Sequence, residues 1–124
     1  MKVALIGLAA ILAAHSPIVA QEPLNKLTIF MTGNDLYAAC EADLNTPTGL
    51  IEFGNCMGYI QGSVDSYMTF RAETKQSSCL APGVKGVQVR DMVKAYLRDN
   101  PAQRHLTASN LVVQAITPLI VECP

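Results

Sequence analysis

Apolar residues recur every three or four positions through most of this chain, which is the spacing of one face of an α-helix. Four such stretches lie between residues 32 and 116, and turn-forming residues separate them. None alternates clearly with the period of two that marks a half-buried strand. The pattern therefore predicts an all-α domain of four helices and no strand.

The first helix is predicted to begin at Thr32 or Asn34, either of which can cap it, and to end before the helix-breaking Pro47. Its inward positions are Leu36, Ala39, Cys40 and Leu44. The second helix is predicted over residues 51–72. Its inward positions are Cys56, Tyr59, Ile60, Val64, Tyr67 and Met68.

The third helix is predicted over residues 87–99, and its inward positions are Val89, Met92, Val93, Tyr96 and Leu97. The fourth is predicted over residues 104–116, with Asn100 as its cap and Gln103 completing a capping box. Pro118 should kink or end it. Helices joined by short connections tend to run up and down, so we expect a small up-and-down four-helix domain.

Three glycines recur every four residues in the second predicted helix, at Gly54, Gly58 and Gly62. Each glycine inside a helix costs about 1 kcal/mol relative to alanine, so a compensating contact is expected. Spacing by four places them on one face, where another backbone can approach closely. We interpret them as a packing contact with a neighbouring helix of the same domain, and a face between two copies is the alternative.

The first twenty residues have the features of a secretory signal peptide. One basic residue, Lys2, precedes an apolar run over residues 3–14, and the small Ala20 lies before Gln21. The run is shorter than the roughly twenty residues that a membrane span needs. We therefore expect cleavage between Ala20 and Gln21, with retention of the segment as an anchor as the alternative.

The exported part, residues 21–124, is predicted to form a single domain. Once Lys2 is removed, eight basic and ten acidic residues remain, a net charge of −2. There is no basic stripe, which argues against a nucleic-acid partner. No second apolar run reaches spanning length, so no membrane contact is expected after cleavage.

The exported part contains all four cysteines, Cys40, Cys56, Cys79 and Cys123. An even number in a small exported domain indicates two disulfides. No pair has the close spacing of common zinc modules, so we expect no metal. Up-and-down helices place Cys40 beside Cys56 at one end and Cys79 beside Cys123 at the other. A Cys56–Cys79 bond is disfavoured, because the helix between them would separate them by roughly 30 Å.

Candidate catalytic groups are few. His105 is the only histidine outside the signal peptide, and a Cys–His nucleophile would need a free cysteine. Carboxylates are present at Asp35, Asp65, Asp91 and Asp99, but their spacing marks no pair. Asp65, which follows the glycine face, is interpreted as a structural polar contact. We therefore expect no enzyme and no cofactor, and a binding protein instead.

Four segments carry a resemblance to a known family: TGNDLYAAC, CMGYIQGSVDSY, CLAPGVKGVQVRDMVKAYLRDNPAQRHLTASNLVVQAI and the closing EC. The most specific pieces are C-x-G-Y-I-x-G-x-x-D and Y-L-x-x-N-P-x-x-R-H. Over about residues 30–123 the chain resembles the Tai/Rap family, immunity proteins against peptidoglycan amidase toxins of type VI secretion. The closing TPLIVECP departs from the family pattern, because Pro118 stands where a helix should continue.

The resemblance implies a small periplasmic helical protein, often a homodimer, that binds a papain-like cell-wall amidase and blocks its cleft in a toxin–immunity pair. The long polar connection over residues 73–86 is our candidate contact element, since long loops are often functional. Its candidate contact residues are Lys75, Gln76, Ser77 and Ser78. A solvated connector is the alternative, and the motif residues themselves are interpreted as scaffold.

Other functions stay open. One is a periplasmic acid-stress chaperone that exposes apolar surface at low pH, against which two disulfides count. A second is a stand-alone exported binding protein of unknown partner. A third is an enzyme that uses surface carboxylates such as Asp65 and Asp91.

Overall fold

The computed structural model describes residues 30–76 and 78–123. The predicted signal peptide and Ser77 lie outside the described residues. The elements in chain order are α1 (Gly33–Cys40), α2 (Pro47–Glu73), β1 (Cys79–Leu80), α3 (Gly86–Asp99), a 3₁₀ turn (Pro101–Gln103), α4 (Ala108–Ile116), a second 3₁₀ turn (Thr117–Leu119) and β2 (Ile120–Val121). The predicted small four-helix domain is confirmed.

One hydrophobic core holds the four helices together, and every pair of helices is in contact. Its largest fully buried side chains are Leu36, Ile60, Leu97, Leu111, Ile116, Val93, Val112 and Cys56. Burying a side chain of this size contributes about 1.5 to 3 kcal/mol. Five residues predicted to point inward are only half-buried. Three of them pack against this core, Tyr59, Met68 and Tyr96, and the other two are Tyr67 and Met92.

The first two helices differ from their predicted bounds. α1 ends at Cys40, and Leu44 is 49 % exposed, so its predicted inward position is wrong. α2 begins at Pro47, because the Thr46 hydroxyl accepts a hydrogen bond from the Gly49 amide at 3.0 Å. Proline fits the first turn of a helix, where its missing N–H leaves no bond unmade. Pro47 thus starts a helix where we expected it to break one.

Thr32, rather than Asn34, caps α1. Its hydroxyl accepts a hydrogen bond from the Asp35 amide at 3.3 Å, and the Asp35 carboxylate accepts bonds from the Thr32 hydroxyl and amide at 2.6 and 2.9 Å. The bond from the Thr32 hydroxyl, and to a smaller extent the bond from its amide, stabilise the ionised carboxylate and hold the pKa of Asp35 below its ordinary value. The two residues form a complete capping box.

The last helix also begins later than predicted, at Ala108. A 3₁₀ turn precedes it, and the Asn100 side chain donates to the Tyr96 carbonyl at 2.9 Å. Gln103 accepts a bond from the Tyr96 hydroxyl at 3.0 Å. The capping box predicted for these residues is therefore wrong, because both side chains bind α3. Pro118 lies in the 3₁₀ turn that ends the helix, as expected.

Two short strands correct the prediction that the domain has none. β1 and β2 pair antiparallel, with Cys79 opposite Val121 and Leu80 opposite Ile120. Two residues a strand are too few to produce an alternating pattern in the sequence. The pairing holds the end of the chain against the α2–α3 connection.

Both disulfides join the predicted partners. Cys40 is bonded to Cys56 and Cys79 to Cys123, with Cα atoms 5.1 Å apart in each pair. The first bond is buried in the core, whereas the second is half-buried beside the strand pair. The bonds close loops of 16 and 44 residues in sequence separation. In the chain-entropy treatment they contribute about 3 and 4 kcal/mol by restricting the unfolded chain.

A close approach between two backbone segments occurs at Gly33. Its amide donates to the Leu106 carbonyl at 2.9 Å, and the next amide, of Asn34, donates to the Arg104 carbonyl at 2.8 Å. A Cβ on Gly33 would overlap the Leu111 side chain and lie 2.9 Å from the Arg104 Cα. Only glycine fits where α1 meets the segment before α4.

The three glycines of α2 do not make the internal contact that we predicted for them. Gly54, Gly58 and Gly62 are exposed, and a Cβ on any of them would meet nothing within 4 Å. The internal close approach of α2 occurs at Gly49, where a Cβ would overlap the Asp43 carbonyl. Spacing by four shows that residues share a helix face, but it does not show which way that face points.

Alanine substitution separates these two kinds of glycine. We expect Gly33→Ala to lower the free energy of unfolding by about 3 kcal/mol, because the new methyl group overpacks the α1–α4 junction. The matched Gly54→Ala should raise it by about 0.5 to 1 kcal/mol, because alanine favours the helix and its methyl group enters open space. Urea unfolding followed by circular dichroism measures both, and equal effects would contradict the assignment.

Removal of the outer disulfide tests its contribution. The double substitution Cys79→Ala and Cys123→Ala should lower the free energy of unfolding by about 4 kcal/mol, because the 44-residue loop gains freedom in the unfolded chain. Urea unfolding without reductant provides the measurement, with the unsubstituted protein as the reference. A loss below about 1 kcal/mol would mean that the strand pair and core hold this end unaided.

Candidate protein-binding surface

Of the candidate contact residues, the structure describes Lys75, Gln76 and Ser78, which lie in or just after a turn at the end of α2. Lys75 and Gln76 are exposed, and Lys75 adopts a positive φ of 57°. The Gln76 amide donates to the Arg71 carbonyl at 2.8 Å. Ser78 is half-buried, and its hydroxyl accepts two bonds from the Arg71 guanidinium at 3.0 and 2.7 Å. Ser78 is therefore bound to α2 and does not project as we expected, while Lys75 and Gln76 remain accessible.

The outer disulfide anchors the chain just beyond this turn. Cys79 is bonded to Cys123, and the Ala81 amide donates to the Leu119 carbonyl at 2.8 Å. A pocket of about 260 Å³ lies between the turn and the disulfide, where Lys75 and Cys123 contribute to its lining. The turn is thus a short feature held at both ends, with two exposed side chains at its tip.

A second surface feature is a groove of about 660 Å³ between α2 and α4, which we call the α2–α4 groove. Gly58 and Gly62 lie along it, and Phe70 lies toward the carboxyl end of α2. Its polar and aromatic lining is Tyr59, Ser63, Ser66, Tyr67, Ser109 and Asn110. Because the two glycines have no side chain, the groove exposes the main chain of α2 between the rings.

Charged side chains are concentrated away from this groove. Five of them lie on α3: Arg90, Asp91, Lys94, Arg98 and Asp99. In contrast, α4 has no charged residue, and the stretch of α2 between Glu52 and Arg71 has only Asp65. None of the groove-lining residues is Lys, Arg, His, Asp or Glu. The two helices therefore present a largely uncharged face.

The carboxylates considered for catalysis do not form a pair. Asp35 belongs to the α1 cap, and Asp91 and Asp99 each accept hydrogen bonds from the arginine that precedes them. Asp65 is exposed and lines a pocket of about 240 Å³ together with Lys85. Within residues 30–76 and 78–123 its side chain makes no hydrogen bond or ion pair, so the structural polar contact that we predicted for it is not found there.

The remaining candidate for chemistry, His105, is exposed, and its Nδ1 lies 3.0 Å from the Ala102 carbonyl oxygen. In residues 30–76 and 78–123, no three side chains of His, Cys, Asp or Glu are grouped so that they could hold a metal ion. Among the helices of that same part, none has the length and apolar character needed to cross a membrane. Both cysteine pairs are oxidised.

Sequence reasoning missed the role of Arg104 in the motif Y-L-x-x-N-P-x-x-R-H. Its guanidinium carbon lies 3.8 Å from the centre of the Tyr37 ring. Its Nε donates to the Leu97 carbonyl at 2.6 Å, and Nη2 donates to the Arg98 carbonyl at 3.2 Å. Arg104 thus joins α1 to the end of α3, which agrees with a scaffold role for this motif.

The other motif, C-x-G-Y-I-x-G-x-x-D, divides between the inside and the outside of the domain. Cys56 and Ile60 are buried in the core. Gly58, Gly62 and Asp65 are exposed on the other side of α2. Only part of this motif therefore serves the scaffold.

These features define a small disulfide-linked helical domain with an uncharged surface groove. The family of Rap1a immunity proteins matches the chain over residues 32–118, which runs from the α1 cap to the turn after α4. The chain therefore belongs to the Rap1a immunity protein family and is an immunity protein for a type VI effector. Such families are generally non-enzymatic, and proteins of this one are typically exported. No curated protein and no solved structure matches the chain.

Proposed function

We propose that this protein binds a peptidoglycan amidase effector of type VI secretion and blocks its active-site cleft. The observation that carries the proposal is the Rap1a family match over residues 32–118, which includes all four helices. An immunity protein acts by binding its effector, so it needs a stable surface and no catalytic group of its own. The choice of an amidase rests on the resemblance carried by the two sequence motifs.

The proposed place of action is the periplasm. An amidase that cuts peptidoglycan acts outside the cytoplasm, so its inhibitor has to be exported to the same compartment. Two disulfides suit an oxidising compartment, and they support this placement. The proposed route is export by a signal peptide over residues 1–20, followed by cleavage before Gln21.

The turn at the end of α2 is part of the proposed contact with the amidase. The exposed Lys75 and Gln76 are its accessible side chains, with Ser77 and the bound Ser78 completing the candidate set. The Cys79–Cys123 bond would hold the turn in place when the partner docks. A homodimer is also part of the proposal, and light scattering of the purified protein measures it.

An inhibition assay tests the proposal. Purified protein, added at an equimolar ratio to a type VI peptidoglycan amidase from the same cell, should abolish release of soluble peptidoglycan fragments, because the cleft is then occupied. An unrelated disulfide-bonded periplasmic protein is the control. Full amidase activity at equimolar protein would contradict the proposal. Suppression of aggregation at about pH 2 to 3 without amidase inhibition would favour the chaperone instead.

A further inference from the structure

We propose that the α2–α4 groove is the main docking surface of this protein, and that it takes an uncharged segment of the partner whose main chain lies close to α2. The inference rests on the proposed function, because it takes the amidase as the partner. It assigns the principal contact to the α2–α4 groove, in addition to the turn at residues 75 and 76.

The two glycines in the lining of the groove have no internal explanation. Gly58 and Gly62 weaken a helix relative to alanine, yet a Cβ at either position would meet nothing within 4 Å. No packing inside the domain therefore requires glycine there. What the two glycines provide is a stretch of bare helix main chain, which lets the main chain of another molecule come closer than any side chain would permit.

The lining of the groove matches the chemistry of a protein interface. Interface cores are depleted of charged residues and enriched in aromatic ones. The groove has no ionised side chain, and it includes Tyr59, Tyr67 and Phe70, the last of which is 59 % exposed. Tyrosine, serine, glycine and asparagine together are the residues that antibody paratopes favour, because they combine rigid contact area with adaptable hydrogen bonds.

The absence of charge also selects the occupant. A charged group buried in this groove would find no partner of opposite sign in its lining, and an unpaired buried charge is strongly disfavoured. The hydroxyl and amide groups of Ser63, Ser66 and Asn110 can instead pair with the N–H and C=O groups of a partner main chain. The occupant is therefore a neutral segment.

The occupant that we propose is a segment of the amidase and not a second copy of this chain. A twofold dimer through this face would place the same patch of each copy against itself and cover the groove of both. The amidase and a second copy would then compete for the face, and light scattering of the Gly58 variant distinguishes them.

The position of the groove is consistent with the proposed contact at the turn. Phe70 lines the groove near the carboxyl end of α2, and its carbonyl accepts the Thr74 amide at 3.0 Å. Lys75 follows directly. A partner seated in the groove can thus reach Lys75 and Gln76 without any change in the fold.

Leucine substitutions test the proposal. Gly58→Leu and Gly62→Leu fill the groove, and Gly54→Leu places the same side chain on the same helix outside the groove lining. All three positions have open space at Cβ, and leucine favours helices over glycine, so the variants should fold. We expect the Gly58 and Gly62 variants to bind the amidase at least about 100-fold more weakly, and the Gly54 variant to stay within about threefold.

Isothermal titration calorimetry with the purified amidase measures the affinities, and thermal unfolding of each variant checks that it is folded. If the unsubstituted protein binds no amidase at all, both this inference and the proposed function are overturned. If the unsubstituted protein binds the amidase and the three variants all behave alike, whether all retain their affinity or all lose it, only the assignment of the groove is overturned. Light scattering that shows the Gly58 variant breaking a dimer, with amidase affinity unchanged, would assign the groove to a second copy and also overturn the proposal.

Discussion

The architecture of this domain depends on the tight contact between the start of α1 and the segment that leads into α4. Three backbone hydrogen bonds join residues 31–34 to residues 104–108, and Gly33 lets the two segments come this close. Arg104 reinforces the junction by stacking on Tyr37 and binding the last carbonyls of α3. Three of the four helices meet here. The buried Cys40–Cys56 bond joins α2 to α1, which connects the remaining helix to this junction.

This arrangement determines which face of α2 is available for binding. The Cys40–Cys56 bond and the buried Ile60 and Val64 turn one side of α2 toward the core, so the side with Gly58 and Gly62 faces outward. α4 packs beside α2 and has no charged residue, and the groove between them has no charged residue in its lining, while Asp65 is exposed outside that lining on the same side of α2. The five charged residues of α3 are all absent from the lining of this groove.

The sequence predicted much of the fold for identifiable reasons. Helical periodicity located all four helices. Their up-and-down order predicted both disulfides, because it placed the two cysteines of each pair at the same end of the domain. The helix starts were less accurate, since Pro47 can begin a helix as well as break one. The two-residue strands depend on a contact between distant segments, which no local pattern reveals.

The candidate site was harder to predict than the fold. The sequence marked Gly54, Gly58 and Gly62 as unusual, but whether they face the core depends on which side of α2 is buried. The roles of Gly33 and Arg104 could be recognised only from the structure. Each contacts a residue that is some seventy positions away in the chain, Leu106 for Gly33 and Tyr37 for Arg104. The one signal that was present and overlooked is the lack of charge in α4 and along most of α2.

Hydrogen exchange of the protein, free and bound to its amidase, tests most directly whether this uncharged face recognises the partner. The account predicts that complex formation slows exchange by about tenfold or more at amides in residues 58–70 and 108–113, while α3 stays unchanged. New protection confined to α3, with residues 58–70 exchanging as in the free protein, would contradict it.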